Sequence, residues 1–187
     1  MGRAVIRIIA GKYRGKKLMV ADVDGLRPTT DRTRGALFNL LMHRLSKPLS
    51  EMDVLDAFAG SGALGFEALS RGAQSVTFIE ADTKALHQLR ASQQSFIGVT
   101  DVRKGDAYAI FQTKAKRFDL IFLDPPFGKT NFETLLKCVA ASTCLAPMGL
   151  VVLEHPTEID IQIPREFAVL VDRAYGRSNI VIMEYRN

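Results

Sequence analysis

Phe118-Asp119-Leu120-Ile121-Phe122-Leu123-Asp124-Pro125-Pro126-Phe127 decides the fold: a largely apolar run ends in an acid, two prolines and an aromatic ring. A short run without polar alternation is the pattern of a strand covered on both faces, as in a parallel sheet. The prolines remove backbone donors, stop the ladder and leave a rigid loop at the strand's carboxyl end. Open α/β sheets bind their ligands beyond that edge. Similar runs are expected as strands at 53–58, 75–80, 99–103 and 149–154, with 118–124 among them and helical stretches between. That alternation demands a parallel, doubly wound sheet with right-handed crossovers. Phe167 to Val171 and Asn179 to Tyr185 flank Ala174-Tyr175-Gly176-Arg177-Ser178 and read as a hairpin that adds an antiparallel strand.

The residues Asp124, Pro125, Pro126 and Phe127 suit one kind of chemistry. An exocyclic amine on a nucleobase is a poor nucleophile because its lone pair is delocalised into the ring, so it must be held and polarised. The Asp124 carboxylate and the Pro125 carbonyl can each accept one amine hydrogen. Phe127 can stack on the base, a contact that contributes about 1–3 kcal/mol per base in single-strand binders. The competing reading is a Pro-Pro turn that merely ends a strand.

A second motif narrows the choice. Asp53-Val54-Leu55-Asp56-Ala57-Phe58 reads as a strand, and Ala59-Gly60-Ser61-Gly62-Ala63-Leu64-Gly65 as a glycine-rich turn entering a helix. Gly60, Gly62 and Gly65 satisfy the dinucleotide fingerprint G-x-G-x-x-G, with Glu80 placed for ribose hydroxyls. Gly60 and Gly65 also have Walker A spacing, but Phe66 stands where the essential lysine would be, which removes the P-loop reading. A carboxylate as close to the turn as Asp56 repels a pyrophosphate and suits an ammonium or sulfonium. That favours S-adenosylmethionine over a dinucleotide, with Glu80 toward the ribose and Asp106 toward the adenine amine. Either acid can instead cap a helix, although Asp82 and Thr83 are better caps than Glu80 for the helix after it.

The order D-x-F-A-G-S-G, an acid after the second strand, G-D-A after the third and D-P-P-F after the fourth resembles a class I S-adenosylmethionine-dependent methyltransferase. Leu26-Arg27-Pro28-Thr29-Thr30-Asp31-Arg32-Thr33-Arg34 before a helix, and Ala59 through Phe66-Glu67-Ala68-Leu69-Ser70-Arg71-Gly72, resemble the bacterial RsmD-type family over essentially the whole chain. The resemblance implies methylation of the 2-amino group of a guanine in 16S ribosomal RNA of the small subunit. It implies a Rossmann-like, mostly parallel seven-stranded sheet with an antiparallel strand near the carboxyl terminus. It assigns Asp56, Phe58, Gly60, Gly62, Glu80 and Asp106 to S-adenosylmethionine and the D-P-P-F residues to catalysis. The partner is then 16S rRNA within a 30S subunit or its assembly intermediate. One position departs: the family has a glutamate after R-x-R, and this chain has Gly35. A helical glycine costs roughly 1 kcal/mol relative to alanine.

Charge supplies the partner side of the reading. The 187 residues carry 25 basic and 20 acidic side chains, net +5, with a pI of about 9.4. Before Leu18 the basic residues Arg3, Arg7, Lys12, Arg14, Lys16 and Lys17 occur with no acid. Val5 to Ala10 and Lys17 to Val20 are expected as a small hairpin around Gly11-Lys12-Tyr13-Arg14-Gly15, presenting Arg7, Lys12, Arg14, Lys16 and the Tyr13 ring to RNA. Arg32 and Arg34 would extend this surface, as would Arg27, unless these arginines pair with Asp31 or Asp22. The bland alternative is a solvated basic terminus. We expect a single domain over 1–187, with 1–25 a basic hairpin extension and 26–187 the catalytic core.

The remaining reactive residues read as structural. Leu37, Leu40, Leu41 and Leu45 have helical spacing and belong to a core. Cys138 and Cys144 are expected on one helix, on different faces, as free thiols. His43, His87 and His155 are scattered and give no metal set, and His155 is expected in a loop. Asn131 is expected to cap the following helix, with Lys129 near it. Two cysteines and no membrane-spanning run imply a cytoplasmic protein, expected as a monomer. Three rivals stay open: a DNA amino-methyltransferase, a non-catalytic RNA-binding assembly factor, and an NAD-linked oxidoreductase.

Overall fold

The computed structural model describes residues 6–20, 30–113, 116–128 and 130–186. Arg3, Val5, Asp22, residues 26–29 with Arg27, and Lys129 lie outside the described residues. Within them, β1 (Ile6–Arg7) and β2 (Lys17–Leu18) form a short antiparallel ladder, Ile6 opposite Leu18. Then follow α1 (Asp31–Met42), β3 (Asp53–Asp56), α2 (Ala63–Ser70), β4 (Ser75–Glu80), α3 (Thr83–Gln93), β5 (Val99–Lys104) and α4 (Ala107–Phe111). The chain continues through β6 (Phe118–Leu123), α5 (Phe132–Ala141), β7 (Leu145–Pro156), β8 (Phe167–Tyr175) and β9 (Ser178–Tyr185).

The strands from β3 on form a seven-stranded sheet in the order β5-β4-β3-β6-β7-β9-β8. The pairs among β5, β4, β3, β6 and β7 are parallel, and β9 runs antiparallel to both neighbours. This is the expected doubly wound sheet with one reversed strand. The strand order reverses between β3 and β6, which places the turn after β3 and the loop after β6 side by side at the carboxyl edge.

Alternation divides the sheet between two cores. Val54, Leu120, Phe122, Leu150 and Val152 face one core with Phe38, Leu41 and Phe66. Leu55, Ile121, Leu123, Val151 and Leu153 face the other with Leu135 and Val139 of α5. Adjacent residues of one strand thus lie in different cores, so these strands show no polar side. The Thr30 hydroxyl caps α1, and the side chains of Asp82 and Asn131 cap α3 and α5. Leu37 and Leu41 are buried as expected.

The arm strands are shorter than expected within the described residues, β5 and β6 shift by one residue, and three further boundaries differ. β3 ends at Asp56 rather than 58, because the backbone turns from Ala57 toward Gly60. β7 is longer than 149–154, since its first part pairs across a register shift between Phe118 and Leu120, where Met148 has φ 60°. The β8–β9 hairpin is longer at its turn end, with Tyr175 opposite Ser178. Cys144 lies beyond α5, in the link to β7, so the two cysteines do not share a helix. Neither is in a disulfide, and the buried Cys144 Sγ donates to Ile110 O at 3.1 Å.

Candidate active site at the carboxyl edge

Gly62 precedes α2 in the left-handed region at φ 76°, and Gly60 at φ 51° completes the turn. A Cβ on Gly62 would strike Leu89 and the Phe66 ring, so the backbone can pass here only without a side chain. The turn is tied to the neighbouring strand end: Gly60 N–H donates to Glu80 Oε2 at 2.7 Å, and Asp82 N–H donates to Glu80 Oε1 at 2.7 Å. These bonds fix the Glu80 carboxylate while leaving lone pairs on both oxygens. Phe58 lies partly buried against the second core.

Asp56 closes β3 and is 1% exposed. Its Oδ2 accepts from Gly65 N–H at 2.9 Å. Burial raises its pKa from 3.8 to about 7, with the Glu80 charge adding to the rise and the Gly65 bond opposing it. On the adjacent parallel strand, Asp124 follows Leu123 of β6. Its pKa is also raised, first by burial and then by Glu154 and Asp56. No described donor reaches its carboxylate. Pro125 is buried, while Pro126 is exposed and Phe127 is 40% exposed. The Thr130 hydroxyl donates to Pro126 O at 3.3 Å and braces this loop.

Glu154 was not singled out in the sequence, although it ends the apolar run Leu150-Val151-Val152-Leu153. Leu123 pairs with Leu153 across β6 and β7, so Asp124 and Glu154 are the next residues on adjacent parallel strands. They continue the face of Phe122 and Val152. Asp56 continues the same face from Val54. The carboxyl edge therefore gathers three acids above one core.

Asp106 caps α4 by accepting from Tyr108 N–H through Oδ1 at 3.0 Å. The helix-cap reading holds for that oxygen, and the exposed carboxylate keeps its second oxygen for a ligand. His155 is not in a loop: it belongs to β7 and is buried, with Nδ1 2.9 Å from Pro156 O and Nε2 3.2 Å from Asn179 Nδ2. It lines a cavity of about 290 Å³ with Ile161, Asp172 and Asn179. Among the described residues, no three His, Cys, Asp or Glu side chains form a metal set. No helix there is long and apolar enough to cross a membrane.

The basic arm requires correction. Arg34 is 0% exposed and spends its guanidinium on Arg7 O at 2.6 Å and Asp31 Oδ1 at 2.9 Å. It therefore fastens the arm to α1 and is not an RNA-facing side chain. Tyr13 does not present its ring outward: it packs edge-on against Phe96 at 4.9 Å, and its hydroxyl bonds the Ile97 backbone. Lys16 lies over the Tyr13 and Phe96 rings and donates to Ser95 O. Of the residues assigned to RNA, Arg7, Lys12, Arg14 and Arg32 are the ones that face solvent, and Arg7 also pairs with Asp31 at 3.3 Å.

The arm is clamped by a residue the sequence reading passed over. Glu67 is fully buried and accepts from Ile9 N–H at 2.7 Å, Ala10 N–H at 3.1 Å and Arg71 Nε at 2.7 Å. Ser70 adds a bond from Tyr13 N–H at 2.9 Å and donates to Ala10 O at 2.5 Å. A Cβ on Gly11 would collide with Ser70 O, which explains a glycine there. The signal was present: one acid in the otherwise apolar helix Ala63–Ser70, with an arginine four residues on.

Residues 6–184 match the family Conserved hypothetical protein 95. A Haemophilus influenzae protein named Ribosomal RNA small subunit methyltransferase D is 36% identical over 186 residues, covering 97% of this chain and 92% of that protein. The protein of the same name from Escherichia coli K12 is 39% identical over 158 residues, covering 84% and 78%. A solved structure titled "Putative methyltransferase yhhF from Escherichia coli" superposes with a TM-score of 0.83 at 34% identity, covering 98% of this chain and 99% of that one. Sequence and sheet order agree, and the chain belongs to the Conserved hypothetical protein 95 family, the RsmD-type methyltransferases, with their Rossmann-like fold.

Proposed function

We propose that this protein transfers a methyl group from S-adenosylmethionine to the exocyclic 2-amino group of a guanine in 16S rRNA of the small ribosomal subunit. The carrying observation is the Asp124 carboxylate, which no described donor reaches, at the end of β6 between the glycine turn and the exposed Phe127 ring. The small-subunit rRNA methyltransferase names of the relatives support the rRNA substrate.

The residues at the turn fit the donor. Gly60 and Gly62 let the backbone approach a bound nucleoside closely, Glu80 offers oriented lone pairs to ribose hydroxyls, and the second oxygen of Asp106 suits an amine. Asp56 has its pKa raised to about 7, so a cationic ligand above the turn would draw off its proton and gain a counter-charge, whereas a pyrophosphate would not. Phe58 borders this region. When bound, S-adenosylmethionine supplies an electrophilic methyl group on a sulfonium.

The chain's own residues then hold the nucleophile. Asp124 and the Pro125 carbonyl accept the two amine hydrogens, and Phe127 stacks on the base. Aligning the amine within roughly 3–3.5 Å of the methyl carbon supplies much of the rate. The methylated nitrogen is cationic and acidic, so its proton passes to Asp124 or water. Burial and the charges of Glu154 and Asp56 raise the Asp124 pKa, which makes its ionised carboxylate a stronger base than an ordinary one. Turning the target base out of its stack costs a few kcal/mol and is cheapest in a loop. Lys12, Arg14 and Arg32 face solvent and are available to rRNA phosphates, while Tyr13, Lys16 and Arg34 hold the arm that carries them.

The test is transfer of labelled methyl from S-adenosylmethionine to 30S subunits from a strain lacking this gene, followed by digestion to nucleosides and mass spectrometry. N2-methylguanosine is expected. Label on DNA or protein instead, with none in the 30S RNA, overturns the assignment.

A further inference from the structure

We propose that Glu154 is the residue that selects guanine, by accepting the N1–H that lies beside the amine to be methylated. The inference rests on the guanine-N2 reading above and gives it a physical basis in the site.

Three observations carry it. Asp124 and Glu154 follow the paired residues Leu123 and Leu153, so they stand side by side on adjacent parallel strands and on one face. Neighbouring strands are about 4.8 Å apart, within the span of one nucleobase edge. Asp124 belongs to the strand nearer the glycine turn, and Glu154 to the strand beyond it, with one more methylene of reach. Glu154 thus interrupts the apolar face of Leu150 and Val152 directly beside Asp124.

The chemistry of the bases turns this arrangement into a filter. Guanine carries two kinds of donor next to each other, the N1–H and the 2-amino hydrogens. The amines of adenine and cytosine are each flanked by a bare ring nitrogen, which is an acceptor. Two neighbouring carboxylates are acceptors when ionised, a state that a sulfonium bound beside them would favour. They complement the guanine edge and repel the other two. Asp124 takes an amine hydrogen, and Glu154 takes the N1–H; a carboxylate has lone pairs for a protein partner as well. Discrimination thus comes from a clash of acceptors as much as from a new bond.

The experiment replaces the mapped target guanine with 2-aminopurine, which keeps the 2-amino group and has a bare N1. The modified RNA is reconstituted into 30S particles, and kcat/KM is measured for both substrates. Wild-type protein is expected to prefer guanine by roughly 10- to 100-fold, the range for one hydrogen bond to a charged group. In Glu154→Gln the amide can donate to the bare N1, so the preference is expected to fall close to one. A merely structural role would lower both rates and leave their ratio unchanged. Equal rates for the two substrates with wild-type protein overturn the proposal without any variant. So does a ratio that survives Glu154→Gln. Absence of transfer even to guanine would instead remove the reading on which the proposal rests.

Discussion

The two ends of the sheet carry the same kinds of residue under opposite electrostatic conditions. At the amino end, Asp53 accepts from Lys116 at 2.5 Å and from the Ser75 hydroxyl. Asp119 pairs with Lys47 at 2.9 Å and accepts from Asp53 N–H at 2.9 Å. Burial pushes the Asp53 pKa up, yet Lys116, Ser75 and Lys47 together hold it below the ordinary value. At the carboxyl end no described lysine or arginine pairs with Asp56 or Asp124, and both pKa values are raised. Acids that serve only the fold are neutralised where they stand. Acids with no described lysine or arginine beside them, and so inclined to hold a proton, mark the edge where a cationic or amine-bearing ligand would complete the balance.

The strongest way to break this contrast is Asp124→Ala. Turnover is expected to fall about 1,000-fold, within the range seen for a positioned proton acceptor or electrostatic group. The dissociation constant for S-adenosylmethionine should change little. Single-turnover transfer and titration calorimetry separate the two, and equal turnover would sink the mechanism.

Asp56→Asn tests the other raised acid through stability. Between pH 4 and 7 the folded protein keeps a proton on Asp56 that the unfolded chain releases, so wild-type stability falls as pH rises through this window. The loss attributable to Asp56 is at most about 4 kcal/mol. Asparagine can still accept from Gly65 N–H but does not titrate, so the variant should lose much of that decline and exceed wild type at pH 8. Urea unfolding across pH 4–8 reads the difference, and parallel pH profiles would refute it.

At the amino end, Lys116→Ala should cost only about 0.5–1 kcal/mol, because the ammonium is half exposed. A low-salt against high-salt comparison of the unfolding midpoint would show it shrinking with screening. The smallest effect concerns Gly35. An added Cβ there would lie 3.9 Å from the Ile9 side chain, ordinary contact distance. Gly35→Glu is therefore expected to gain less than about 1 kcal/mol from helix propensity, with no shift in the S-adenosylmethionine dissociation constant. A tenfold change by calorimetry would show that this glycine alters the donor site.

The sheet was legible because its strands are continuous apolar runs, and the positions of Asp56, Glu80, Asp106 and Asp124 followed from strand ends. Glu154 was not, because its meaning depends on which residue of β6 lies opposite, a register that no local pattern encodes. The arm was misread for a related reason. Tyr13, Lys16 and Arg34 look like RNA contacts by composition, and only tertiary approach assigns them to docking: Tyr13 and Lys16 against Phe96, and Arg34 against the Arg7 backbone. β3 and β7 shifted at their ends, where turn geometry and a bulge override apolar pattern.

The Glu67 clamp makes the arm and α2 a single unit of heredity. Residues 9 and 10 supply the only described backbone donors that Glu67 receives, and α2 begins at the glycine turn. A lineage cannot trim or exchange the arm without leaving a buried carboxylate short of donors inside that helix. Truncation at residue 20 would thus report on the folding of the glycine turn before it reported on RNA, and grafts of this arm onto other scaffolds would need to bring α2 with them.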